Sequence, residues 1–161
     1  MTTIQLQPPR GWKAKIWRAP IWLYRLGLGG LFGKRFLLLN HIGRKSGQPR
    51  QAVLEIVAFD AQTDTYYVVS GFGEKAQWFQ NVMKTPNVDI QVGYQKASAH
   101  AERLPIDDGE HILLDYSQNH PTALRELTKI INVPYDGTPE SVSEMAKVLP
   151  VIAFHTKRKI Q

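Results

Sequence analysis

"LLLNHIGRKSGQPRQAVLEIV", residues 37–57, decides how this chain is read. An apolar run from Leu37 to Leu39 fades into Asn40 and His41, and "QAVLEIV" resumes the apolar pattern from Gln51. Two such runs around a glycine-containing turn predict a pair of strands. The turn "GRKSGQPR" carries Arg44, Lys45 and Arg50 with Ser46, Gly47 and Gln48. A plain hairpin needs only a glycine and an asparagine. Exposed backbone N–H groups beside a mobile lysine and forked arginines make a phosphate cradle. The competing account is a solvated hairpin tip whose cations keep a sheet edge soluble. Spacing leaves both standing. The glycines do not follow the Walker A spacing, and no G-x-G-x-x-G opens a helix.

Downstream, "QAVLEIVAFD" and "TYYVVSGF" read as strands joined by the short connection "AQTD". "AQWFQNVMK" has helical spacing, with Trp78, Val82 and Met83 sharing a side, and stops at "TPN". "VDIQVGYQKASAHAERLP" alternates around "GYQK" as a second hairpin. "DDGEHILLDYSQNHP" and "TALRELTKIIN" are two helices divided by Pro121, the first with acids near its start. "TPESVSEMAKVL" is a third, capped by Thr138 with Pro139 in its first turn, and "PVIAFHTKRK" is a closing strand. These elements predict an α+β domain, with antiparallel strands in the middle and helices at the flanks.

Upstream, residues 1–34 read as an arm followed by a basic amphipathic helix over 12–33, bent near Pro20. The helix either lies on its own domain or rests in an anionic lipid surface, with tryptophans as interfacial anchors. Residues 35–161 form the remainder of what size suggests is one domain.

The 161 residues are 43% hydrophobic and 21% charged, with a net charge of +6 that favours anionic partners. Cysteine is absent, which removes disulfides, thiol nucleophiles and thiolate zinc sites and agrees with a cytoplasmic location. No stretch has the apolar length of a membrane span, and the first residues lack a signal-peptide layout. His41, His100, His111, His120 and His155 show no ligand spacing, so no metal site is expected. There is no G-x-S-x-G elbow, and Asp107 and Asp108 are accounted for as helix-start residues. With no nucleophile or acid–base pair, the hard chemistry of any reaction falls to a cofactor. Ser70, Gly71, Phe72, Gly73 and Lys75 lead from a strand into a helix bearing Trp78 and Asn81. Two glycines there would let backbone approach a flat ligand, but taken alone the segment reads as a tight connection with Trp78 and Phe79 in the core.

Together, "LLLNHIGRKSGQPRQAVLEIV" and "YYVVSGFGEKAQWFQNVMKTPNVDIQVG" resemble the deazaflavin-dependent nitroreductase family of split-barrel oxidoreductases. The shared features are the G-R-K-S-G-x-x-R turn, a strand ending in serine, a Trp-Phe-x-Asn helix and the "V-x-x-Q-x-G" that follows. The resemblance spans roughly residues 36–104 and, more weakly, "LPVIAF". It implies a six-stranded antiparallel split β-barrel that binds coenzyme F420 and passes hydride to a quinone, nitroaromatic or other unsaturated small-molecule acceptor. It also implies that Lys45 and Arg50 contact phosphate, with Arg44, Ser46, Gly47 and Gln48 completing the cradle. Gln51, Ala52, Val53, Ser70, Gly71, Phe72 and Gly73 would lie near the deazaflavin, with Trp78 and Asn81 in support and Lys75 joining the phosphate side. Tyr116 and Tyr135 are candidates for the substrate side. The family often has Thr-Pro-Leu where this chain has "QAVL", and its linker before the tryptophan is longer. FMN, which related split barrels use in much the same place, therefore stands as an alternative cofactor. Split barrels often pair as dimers, so a homodimer is compatible with the resemblance. A quinone acceptor would be consistent with membrane contact through residues 12–33. A non-catalytic basic module for membrane or nucleic acid is the third reading; it leaves the ordered turn unexplained, and no nucleic-acid partner is expected.

Overall fold

The computed structural model describes residues 33–157, together with Leu6 and Leu26. The expected helix over 12–33, and with it the expected membrane contact, lies outside the described residues apart from those few positions.

Six strands follow the apolar runs: β1 (Phe36–Ile42), β2 (Pro49–Asp60), β3 (Thr65–Val69), β4 (Asn87–Val92), β5 (Gln95–Arg103) and β6 (Val151–Thr156). They close into an antiparallel barrel in the order β1-β2-β3-β6-β5-β4. The ring closes where β1 pairs with β4, Leu37 opposite Val92 and Leu39 opposite Ile90. Period-two alternation puts Leu37, Leu39, Val68, Val88, Ile90, Val92, Ile152 and Phe154 in the interior. Leu38 is buried as well, which is why "LLL" reads as unbroken apolar sequence.

Four α-helices lie among the described residues: α1 (Gln77–Lys84), α2 (Ile106–Asn119), α3 (Pro121–Ile131) and α4 (Pro139–Val148). Phe79 and Val82 of α1 join the barrel's interior cluster. The expected α1 face is thus corrected. Phe79 and Val82 are buried and Trp78 partly so, whereas Met83 is exposed, because the barrel interior receives the i, i+3 pair. The other helices cover the outer side of the sheet. Tyr116, Leu124, Ile131, Met145 and Leu149 pack with Val57 and Val69, and Leu113, Val142 and Ala146 pack with Val151 and Tyr67. Thr138 caps α4 as expected, its hydroxyl accepting from the Ser141 N–H at 3.2 Å, with Pro139 in the first turn.

One irregularity shapes the site. The β2–β3 ladder reaches only from Asp60 to Ile56, with a register shift between Ile56 and Ala58. The Pro49–Glu55 half of β2 pairs with β1 alone among the described strands. Its apolar residues Ala52, Val53 and Leu54 are only partly buried.

Candidate functional site

The cationic turn between β1 and β2 is rigid. The Gly43 N–H donates to the Gln48 carbonyl at 2.9 Å and the Gly47 N–H to the Gly43 carbonyl at 2.8 Å. Gly47 has φ +67°, a left-handed conformation that any side chain would strain. The Ser46 hydroxyl accepts from the Gln48 N–H at 3.2 Å, so it braces the turn internally.

The three cations differ in role. Arg44 is docked on α1: its backbone N–H donates to Asn81 Oδ1 at 3.0 Å, and its Nη1 donates to Asn81 Oδ1 at 3.1 Å and to Gln77 Oε1 at 2.9 Å. Lys84, one turn further along α1, donates from Nζ to the Arg44 carbonyl at 3.1 Å. Arg44 therefore anchors the turn to the helix. Lys45 and Arg50 are exposed.

Asn81 is 5% exposed, and both carboxamide heteroatoms are hydrogen-bonded. Its oxygen must face the two Arg44 donors, which turns its Nδ2 toward His41 Nδ1 at 3.1 Å. An amide nitrogen only donates, so His41 Nδ1 accepts and the ring proton sits on Nε2. Burial, and secondly the Arg50 charge, push the His41 pKa down from 6.5 to about 4. His41 is thus a neutral part of the turn's foundation, a role its lone position in the sequence did not signal. The Gln77, Asn81, Lys84 stripe at helical spacing was the one legible clue.

The segment after β3 is organised for packing. β3 ends at Val69, so Ser70 lies just beyond the strand rather than within it. Ser70 is fully buried, and its hydroxyl donates to the Gly73 carbonyl at 2.7 Å. The Gly73 N–H donates back to the Ser70 carbonyl at 2.9 Å. A Cβ on Gly71 would stand 3.3 Å from Ile131, and one on Gly73 only 2.8 Å from Leu6 and 3.1 Å from the Val148 carbonyl. These glycines answer to neighbouring helices and to Leu6 first. Lys75 is exposed, and Phe72 and Trp78 are partly buried against the core clusters.

At the other end of the loosely paired half of β2 lies a cleft of about 650 Å³ whose walls include Arg35, Glu55, Ile56, Tyr116, His120 and Pro121. Tyr116 is buried and donates its hydroxyl to Glu55 Oε1 at 2.7 Å. Burial, then the hydrogen bond to Glu55, raises the Tyr116 pKa well above the usual phenol value. Arg35 Nε stands 3.7 Å from the same carboxylate oxygen. Tyr135 is not brought to this cleft; it packs among the clusters under α2, α3 and α4. No group of metal-ligating side chains occurs among the described residues, and no helix among them is long and apolar enough to cross a membrane.

A cationic turn, a half-open apolar strand and a cleft of mixed polarity thus lie along β2. The family F420H(2)-dependent quinone reductase matches residues 18–125, more than half of the chain. The chain belongs to the F420H(2)-dependent quinone reductase family. It is accordingly an oxidoreductase of a family whose cofactor is coenzyme F420. Solved structures share the fold. An F420-H2 dependent reductase, FDR-A, is 21% identical, with a TM-score of 0.53 over 76% of this chain and 95% of its own. A domain-swapped dimer is 18% identical, with a TM-score of 0.53 over 89% and 99%. A pyridoxamine 5'-phosphate oxidase-related, FMN binding protein from Nostoc punctiforme is 14% identical, with a TM-score of 0.54 over 96% and 83%. The expected split barrel is thereby established for this family member.

Proposed function

We propose that this chain binds reduced coenzyme F420 along β2 and reduces a quinone, or another planar unsaturated acceptor such as a nitroaromatic, at the cleft beside Tyr116. When bound, the coenzyme supplies the hydride. The protein's own part is to hold, orient and exclude water.

The observation that carries the reading is the division of labour in the turn. Arg44 is anchored to Gln77 and Asn81, which leaves Lys45 and Arg50 exposed on a fixed backbone. Charges held on such a frame bind an acidic phosphate end with little reorganisation. Ser46, Gly47 and Gln48 keep the frame rigid. Gln51, Ala52 and Val53 offer the partly open strand on which a flat ring can lie; in this reading Gly71, Phe72 and Trp78 border the ring and Lys75 joins the phosphate side. Ser70 and Gly73 act behind it by fixing the loop through their mutual hydrogen bonds.

The test is a fluorescence titration of the purified protein with F420 and, in parallel, with FMN. Micromolar or tighter binding of F420 alone, followed by acceptor-dependent oxidation of the reduced coenzyme, supports the proposal. Preference for FMN would move the chain to flavin chemistry on the same barrel, and binding of neither would defeat the assignment of the turn.

A further inference from the structure

We propose that Glu55 makes the cleft beside Tyr116 a subsite for neutral planar molecules that present a hydrogen-bond donor, a hydroxyl or N–H on an aromatic ring. Glu55 stands on the outward-facing side of β2, opposite Phe36 in the β1–β2 register. Its two carboxylate oxygens are differently occupied. Oε1 accepts the Tyr116 hydroxyl at 2.7 Å and faces Arg35 Nε at 3.7 Å. Oε2 has no hydrogen-bond partner among the described residues and is not sealed from solvent; the side chain as a whole is 24% exposed.

A ligand that covers this carboxylate removes it from water, and Oε2 then needs a donor from the ligand. The Tyr116 hydroxyl cannot turn to a ligand instead, because it is buried, firmly protonated and already directed at Oε1. A ligand oxygen that only accepts, such as a carbonyl, would bring lone pairs against Oε2; a hydroxyl or N–H would complete it. Arg35 beside the carboxylate offsets its charge, which removes the demand for a cationic ligand. Pro121 and Ala123 supply apolar wall for a ring. The discrimination comes chiefly from the penalty of leaving Oε2 unpaired, the asymmetry by which polar sites reject analogues lacking the matching group. That the natural occupant is the reductase's hydroxyl-bearing product, or an acceptor that itself carries a hydroxyl, rests on the proposed function; the donor preference rests on the cleft alone.

The probes are 2-naphthol and 2-methoxynaphthalene, which differ in the donor hydrogen, titrated calorimetrically into the full chain without cofactor. The wild type is expected to bind 2-naphthol about 10-fold or more tightly than the ether, the scale of a hydrogen bond to a charged group. In Glu55→Gln the amide oxygen takes the Tyr116 donor, the amide nitrogen faces the cleft, and the preference collapses or turns toward the ether. Tyr116→Phe, which keeps the carboxylate, retains the preference; thermal melts check that both variants fold. Equal binding of the two probes by the wild type, binding of neither, an undiminished preference in Glu55→Gln, or its loss in Tyr116→Phe would overturn the proposal. Since no cofactor is present, failure here leaves the F420 titration untouched, and failure of that titration leaves this result standing.

Discussion

Asn81 and His41, forty positions apart, share a hydrogen bond of 3.1 Å between Nδ2 and Nδ1. The same carboxamide takes both Arg44 donors on its oxygen. One buried side chain therefore joins β1, the cationic turn and α1.

Replacing Asn81 with Ala should leave the Arg44 N–H and His41 Nδ1 without their partner in a nearly dry site. We expect a loss of about 2–4 kcal/mol in denaturant unfolding, since unmet buried polar groups cost about 1–3 kcal/mol each. A double-mutant cycle with Arg44→Ala should return a coupling of about 1–2 kcal/mol. Strict additivity would show that the two side chains do not act as one fastening.

The low His41 pKa ties stability to pH in a stated direction. Above pH 6.5 the imidazole is neutral in both folded and unfolded chains, and the Asn81 bond is intact. As pH falls from 6.5 toward about 4, the unfolded chain takes up a proton that the folded one refuses, so stability drops; below about 4 this contribution is constant. The full swing is on the order of 3 kcal/mol. Chemical denaturation of wild type and His41→Gln across pH 4 to 7 should show a shallower slope in the variant, and parallel slopes would count against a buried neutral histidine.

Lys45→Ala combined with Arg50→Ala should spare the fold, because both side chains are exposed, and weaken F420 binding about 100-fold or more, the sum of two charge-assisted contacts. Fluorescence titration reads the affinity and thermal melting the fold. A folded double variant with wild-type affinity would remove the turn from the site.

Gly47 and Gly73 have nearly the same backbone, φ +67° and +65°, in opposite surroundings. A Cβ at Gly47 meets nothing within 4 Å, so Gly47→Ala should cost about 1 kcal/mol from left-handed strain alone. A Cβ at Gly73 meets Leu6 at 2.8 Å and the Val148 carbonyl at 3.1 Å, so Gly73→Ala should cost about 1–3 kcal/mol more, the overpacking term. Equal shifts in unfolding free energy would mean that Leu6 gives way freely.

Local pattern carried the elements into view. The strands at 36–60, the "GYQK" hairpin and the Thr138 cap all announce themselves within a few residues, because periodicity and turn chemistry are local. The resemblance carried by the turn and the Trp-Phe-x-Asn helix supplied the barrel and the cofactor class. What stayed hidden depends on closure. Arg44 reads as one more phosphate ligand until the docking of α1 brings Asn81 and Gln77 to it. Glu55 reads as an ordinary outward strand residue until α2 lays Tyr116 across it from sixty-one positions away. Met83 was misjudged for the same reason: helix spacing does not say which neighbour arrives.

β6 lies between β3 and β5, pairing with Thr65–Val69 on one side and Ala99–Arg103 on the other. During synthesis, every earlier strand leaves the ribosome while two sheet edges still wait for the segment at 151–156. Closure is thus a late event of high contact order, and until it occurs the nascent chain bears two open edges able to pair with another molecule. A translation product halted before Val151 should contain all of the proposed binding residues and still lack the ring that holds them in register, so its expected fate is capture by chaperones or aggregation.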